Sequence, residues 1–281
     1  MRSDTKKIKN YLLVGGAAIS MAILLVLEVF RGAIFGIDAN GEAWYSLSTR
    51  LIGAALCVFL ILYCSYENIL KVKIKILPRA ILFTLPCWVI AINNFPIISY
   101  FSGNAYISAS GGEIWFYFLQ CIAVGLFEEL AFRGCIFLMI LQRRRRTVKD
   151  IFWSIVLSSC VFGVIHLVNL FAGASPISVI LQVGYSFLIG GMCSVVLMKT
   201  GCIWHCVLIH AVYNFCGGVV PELGGGTIWD TATVILTIIV SVAVTVYVIF
   251  ALLRIDPDKV GDIFIEDDKK TSEGDNDAEL Q

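Results

Sequence analysis

The sequence predicts an all-α membrane protein: a bundle of about eight transmembrane helices with both the N- and C-termini cytoplasmic. Three observations carry that prediction. Of 281 residues, 58% are hydrophobic and only 15% are charged, whereas a soluble domain is roughly half apolar and about a quarter charged. Apolar runs long enough to cross a bilayer, about 20 residues each, recur at 11–30, 46–66, 80–101, 114–141, 151–171, 177–198, 202–220 and 230–253. With the N-terminus inside, 18 of the 21 basic residues then fall on inner segments, as the positive-inside rule requires.

Taken in order, the first span follows Arg2, Lys6, Lys7 and Lys9, and the second leads back to Lys71, Lys73, Lys75 and Arg79. The outer segments hold Arg31 and Arg50. The third span, 80–101, contains Pro86, Asn93, Asn94 and Pro96. Proline removes a backbone donor and kinks a helix, and asparagines at membrane depth must find partners or line a cavity. A kinked helix packed on its neighbours is expected there. The fourth span runs into Arg143–Arg146, a topology anchor that can also meet anionic lipid; no nucleic-acid partner is expected. Residues 255–281 hold ten acids and three lysines, a net charge of −7. They read as a disordered, acidic cytoplasmic tail behind a transmembrane domain of residues 1–254. The expected location is the cell membrane, multi-pass. No internal repeat, soluble domain or cleavable signal peptide is read.

Most of the ten cysteines, among them Cys57, Cys87, Cys135 and Cys193, lie inside apolar spans. They read as small packing residues. Cys202 and Cys206 flank His205, but one histidine without a second pair is a weak metal pattern.

The fourth span carries charge near its centre, in the stretch LFEELAFRG at 126–134. Each central charge costs roughly 2.5–3.5 kcal/mol on insertion scales, so Glu128, Glu129 and Arg133 must face the bundle interior and pair. Glu129 and Arg133 stand at i, i+4 with the acid first, the favourable order for an ion pair on one helix. Glu128 is rotated by about 100° and left out of that pair. The three histidines of the chain are His166, His205 and His210. His166 closes FGVIH in the fifth span, and His210 opens HAVYN in the seventh, with Asn214 one turn on and on the same face. Counting about 1.5 Å per residue, these groups reach overlapping depths, so a bundle could gather them around one cavity open to the cytoplasm. His205, near the inner end beside Trp204, reads as interfacial.

A free carboxylate beside an imidazole can take a proton from water and pass it to a leaving group. Imidazole and asparagine amide can donate to a developing oxyanion. These are the parts for amide hydrolysis by activated water. Equally, Glu128, His166 and His210 could be three ligands of a catalytic Zn2+ with one position open; the sequence leaves both readings standing. H-E-x-x-H is absent, the serine in ISASGG lies in an outer loop, and no aspartate sits well inside a span, so other intramembrane protease chemistries fit worse.

EELAFR, FGVIH and HAVYN fit E-E-x-x-x-R, F-x-x-x-H and H-x-x-x-N, in that order on successive spans. In this the sequence resembles the CPBP intramembrane protease family, the CAAX proteases and bacteriocin-processing enzymes, which includes the type II CAAX prenyl endopeptidases. The resemblance covers roughly residues 80–220. It implies a helical core with a cytoplasm-facing cavity and an endopeptidase acting near the cytoplasmic leaflet, metalloprotease or metal-free. It implies Glu128 as the water-activating base with His166 assisting, His210 and Asn214 as oxyanion or water-binding groups, and Glu129 with Arg133 as supports. The implied partners are membrane lipids and a peptide or protein substrate, prenylated in CAAX-box processing, unprenylated in bacteriocin or peptide maturation. Two other classes compete. One is a non-catalytic membrane partner or bacteriocin-immunity protein on the same fold. The other is a proton-coupled transporter, disfavoured by the lack of an inverted repeat. The oligomeric state is not set by the sequence.

Overall fold

The computed structural model describes residues 39–143 and 147–260, together with positions 26 and 263. The first predicted span, Arg144–Arg146 and most of the acidic tail lie outside the described residues. Among the described residues, six helices are long and apolar enough to cross a membrane: Ala43–Tyr63, Ile74–Asn93, Val148–Leu170, Pro176–Thr200, Ile203–Leu223 and Thr231–Leu253. Their length and composition fit a multi-pass helical membrane bundle.

Helix α1 spans Ala39–Tyr63 and α2 spans Leu77–Asn93. Pro78 sits in the first turn of α2, where its missing N–H costs nothing, and Pro86 lies inside it. The predicted third span, 80–101, is not one kinked helix. α2 stops at Asn93, and a short α3, Ile97–Phe101, restarts behind Pro96. The residue before a proline disfavours helical backbone, so the chain breaks at Phe95 rather than bending through it. The two asparagines find partners on other helices. Asn93 Nδ2 donates to Thr237 Oγ1 at 3.2 Å, and Asn94 Nδ2 to the Tyr213 carbonyl at 2.8 Å.

The fold also contains one small departure from all-α. Strand β1, Ala105–Ile107, pairs antiparallel with β2, Gly224–Gly226, in the register Ala105–Gly226, Tyr106–Gly225 and Ile107–Gly224. This ribbon ties the connection after α3 to the far end of α8, Ile203–Leu223, and Gly226 takes φ +103°, which a side chain would strain.

α4, Gly111–Glu129, starts with a reciprocal cap: Ser110 Oγ accepts the Glu113 amide, and Glu113 accepts the Ser110 amide. It continues without a break through a π-helical stretch, Leu130–Phe137, into α5, Leu138–Arg143. The whole rod, 111–143, is about 50 Å long at 1.5 Å per residue. α6, Val148–Ile165, is capped in the same way by Thr147 and Asp150 and passes into a 3₁₀ turn, His166–Leu170. α7, Pro176–Thr200, ends at Gly201 in left-handed backbone, φ +60°, and α8 follows at once. α9, Thr231–Leu253, is capped by Asp230 and is the least enclosed of the six described spans.

The packed centre joins α1, α4, the π stretch, α6, α7 and α8, with Ile61, Leu130, Phe137, Phe162 and Ile203 fully enclosed. Close approach depends on small residues, as in membrane bundles generally. A Cβ on Gly125 would stand 2.9 Å from the Val207 carbonyl, so α4 and α8 touch backbone to backbone there. After α9 comes α10, Pro257–Val260, with Ile255, Val260 and Ile263 buried. Within the segment read as tail, Ile255, Val260 and Ile263 thus pack back on the bundle.

Candidate active site

α4 delivers the central acids at its last two residues, and the π stretch delivers the arginine. A π turn is one residue wider than an α turn, and such turns collect at functional sites. Glu129 Oε1 lies 3.0 Å from Arg133 Nη1, with both side chains almost wholly buried. The guanidinium also lies over the Phe162 ring, 4.3 Å from its centroid. Gly190 of α7 makes room for it, because a Cβ there would sit 2.9 Å from Arg133 Nη2. The predicted i, i+4 pair is therefore present, and Glu128 stands outside it.

His210 of α8 bridges the two acids. Its Nδ1 is 2.7 Å from Glu129 Oε1, and its Nε2 is 3.6 Å from Glu128 Oε2. A carboxylate accepts, so Nδ1 carries the hydrogen toward Glu129. The Nε2–Glu128 separation is too long for a good direct hydrogen bond, but both atoms lie within reach of one water. Glu128 is the more open acid: its side chain is 13% exposed, against 0% for Glu129.

Phe162 organises the imidazoles. The rings of His166 and His210 both meet it edge-on, at centroid distances of 5.1 and 5.9 Å. His166 Nδ1 donates to the Phe162 carbonyl at 2.8 Å. A carbonyl can only accept, so Nδ1 is protonated and Nε2 is left as a base or acceptor. His166 heads the 3₁₀ turn after α6 and is half-buried. Asn214 lies one helical turn beyond His210, also half-buried, and makes none of the contacts above. The structure thus joins Glu128, Glu129, Arg133 and His210 directly, brings His166 in through Phe162, and leaves Asn214 beside the cluster. His205 is half-buried on the preceding turn of α8 and takes no part in these contacts.

Sequence reading missed Arg50. It was assigned to an outer segment, yet it stands inside α1 with Nη1 3.9 Å from Glu128 Oε1, its guanidinium over Phe127. The signal was a cation inside an otherwise apolar run, and the acid it meets lies on another helix. Tyr185 of α7, whose ring is 6.0 Å from that of Tyr213, lies within electrostatic reach of Glu128.

The metal reading meets a specific obstacle. Among the described residues, the donor atoms that lie within 4.8 Å of one another are those of Glu129, Cys193 and Cys206, a spacing that could hold a metal ion. Glu128, His166 and His210 do not form such a group. Glu128 instead has the Arg50 cation beside it, which opposes a dication on the same carboxylate. In the cysteine group, Glu129 is committed to Arg133 and His210, and the Cys206 thiol points to the Cys193 carbonyl at 3.1 Å. Neither set fits a catalytic zinc, and no step is derived through one.

Fold and site together describe a helical bundle with membrane-competent spans and a buried carboxylate–imidazole cluster. Residues 110–216 match the model of the type II CAAX prenyl endopeptidase Rce1-like family. That stretch holds all three motifs, bears out the resemblance they carry, and supports a peptidase at the family level. No curated protein and no solved structure matches the chain significantly.

Proposed function

We propose that this chain is an intramembrane endopeptidase that hydrolyses a peptide bond with water activated by Glu128. The observation that carries this reading is the asymmetry of the two acids. Glu129 is locked between Arg133 and His210, while Glu128 stays partly open with a histidine ring nitrogen beside it. In the proposed step Glu128 takes a proton from water as the water oxygen attacks the amide carbon. The C=O bond becomes a tetrahedral oxyanion, for which the Asn214 amide is the available donor. The proton passes from Glu128 to the amide nitrogen, the C–N bond breaks, and the amine leaves. Glu129, through its hydrogen bond, fixes the His210 tautomer and ring direction.

The substrate is a peptide whose scissile bond reaches membrane depth, either a prenylated CAAX-type peptide or an unprenylated precursor of a bacteriocin or other peptide. The test is cleavage of both kinds by the purified chain in lipid, with Glu128→Gln alongside. Loss of cleavage in the variant supports the reading. Equal cleavage by both proteins refutes it and returns the non-catalytic partner reading to first place.

A further inference from the structure

A second feature of the fold lies behind α9. A groove of about 320 Å³ runs between α9 on one side and α2, α6, α7 and Tyr213 of α8 on the other. From α9 it takes Thr237, Ser241, Thr245, Val248 and Leu252, mostly one turn apart on one face. That face covers about 22 Å of helix, more than one leaflet's share of a hydrocarbon core about 30 Å thick. α9 is itself little enclosed by protein, so the groove lies directly behind a helix that faces lipid. Its size, apolar lining and depth suit an acyl chain.

One end of the groove is marked by charge. On α7 the lining residue Val195 is followed one turn later, on the same face, by Lys199. On α6 the lining residue Phe152 is preceded at i−3 by Lys149. On α9 the lining residue Leu252 leads to Arg254, the residue that closes the helix. Lys199 Nζ donates to the Arg254 carbonyl at 2.7 Å, so the ends of α7 and α9 meet. Among the described residues none of these three cations has an acidic partner. Nearby, Asp150 accepts from the Thr147 amide and Asp256 from the Asp258 amide.

The geometry points to a binding site for an anionic phospholipid, with an acyl chain in the groove and the phosphate against Lys199 and Arg254. The aliphatic tail of a substrate is the competing occupant. Tyr185, which lies within electrostatic reach of Glu128, lines the groove together with Tyr213, but Lys199 lies about 21 Å further along α7 than Tyr185. A substrate held at Glu128 leaves the cationic end unmatched, whereas a phospholipid matches both the apolar length and the charge.

The test is to titrate the purified full chain in detergent with phosphatidylglycerol or phosphatidylcholine of identical chains, and to count retained lipid by native mass spectrometry. Phosphatidylglycerol is expected to bind at least tenfold more tightly. Each basic group near the surface contributes enough that Lys199→Gln with Arg254→Gln should weaken it roughly thirtyfold; the single variants serve if the double variant does not fold. Thr245→Phe, which fills the groove from a lipid-facing helix, should remove binding of both lipids. Equal retention of the two lipids, or retention unchanged by the charge variants, overturns the proposal. So does a Thr245→Phe protein that keeps phosphatidylglycerol but loses a farnesylated peptide, since the groove would then belong to the substrate. Retention is read without catalysis, and Glu128→Gln protein should bind lipid like the parent, so this result stands or falls separately from the peptidase reading.

Discussion

Glu128 and Glu129 are chain neighbours with opposite surroundings, and their substitutions should separate accordingly. Glu129→Gln or Arg133→Met leaves a buried charge without its partner, a loss of about 3–5 kcal/mol, visible as a large drop in thermal unfolding midpoint. Glu128→Gln removes a partly open carboxylate whose contacts with Arg50 and His210 are longer than 3.5 Å, so folding should be nearly untouched. If the Arg50 cation positions Glu128, Arg50→Met should lower cleavage about tenfold or more while the protein stays folded, and Arg50→Lys should restore part of it. An Arg50→Met protein as active as the parent would show that the 3.9 Å approach has no bearing on the reaction.

At the scale of helices, contact between α4 and α8 sets the distance from His210 to the acids. Gly125→Val would press a side chain into the Val207 carbonyl and should cost about 1–3 kcal/mol, together with most of the activity. Gly191→Ala, whose new Cβ meets nothing closer than 3.9 Å, should be neutral or slightly stabilising. The start of α9 gives a pH prediction. Hydrogen bonds from Ser99 and the Thr233 amide hold the Asp230 carboxyl below its usual range. Its folded value is depressed, so its contribution is complete above the ordinary carboxylate range and is lost as pH falls through the lower folded value. Asp230→Asn should therefore flatten the acid side of a stability–pH curve; an unchanged curve would remove Asp230 from the account. Helix existence was readable from the apolar runs, and the Glu129–Arg133 pair from i, i+4 spacing. The break at Pro96, the π stretch and the β1–β2 ribbon were not readable. Each depends on which neighbour a segment meets, and a linear pattern does not record that. Arg50 and the Cys193–Cys206 approach were hidden for the same reason: periodicity gives a face within one helix but not the rotation of one helix against another.

For the molecule as a whole, charge sorting predicts both termini on one side of the membrane. Labelling of cysteines introduced near residues 5 and 275, in a variant background without reactive native thiols, should show both ends reachable only from the cytoplasmic side; opposite sides would demand an odd number of spans. The site's components come from α1, α4, the π stretch, α6 and α8, so its chemistry belongs to the assembled bundle rather than to any peptide fragment. The most direct test of the central claim is cleavage of a peptide panel by the purified whole chain in lipid vesicles, with Glu128→Gln in parallel. The account predicts cleavage by the parent and a loss of at least about a hundredfold in the variant, at an unchanged unfolding midpoint. Cleavage retained in the folded variant would contradict it.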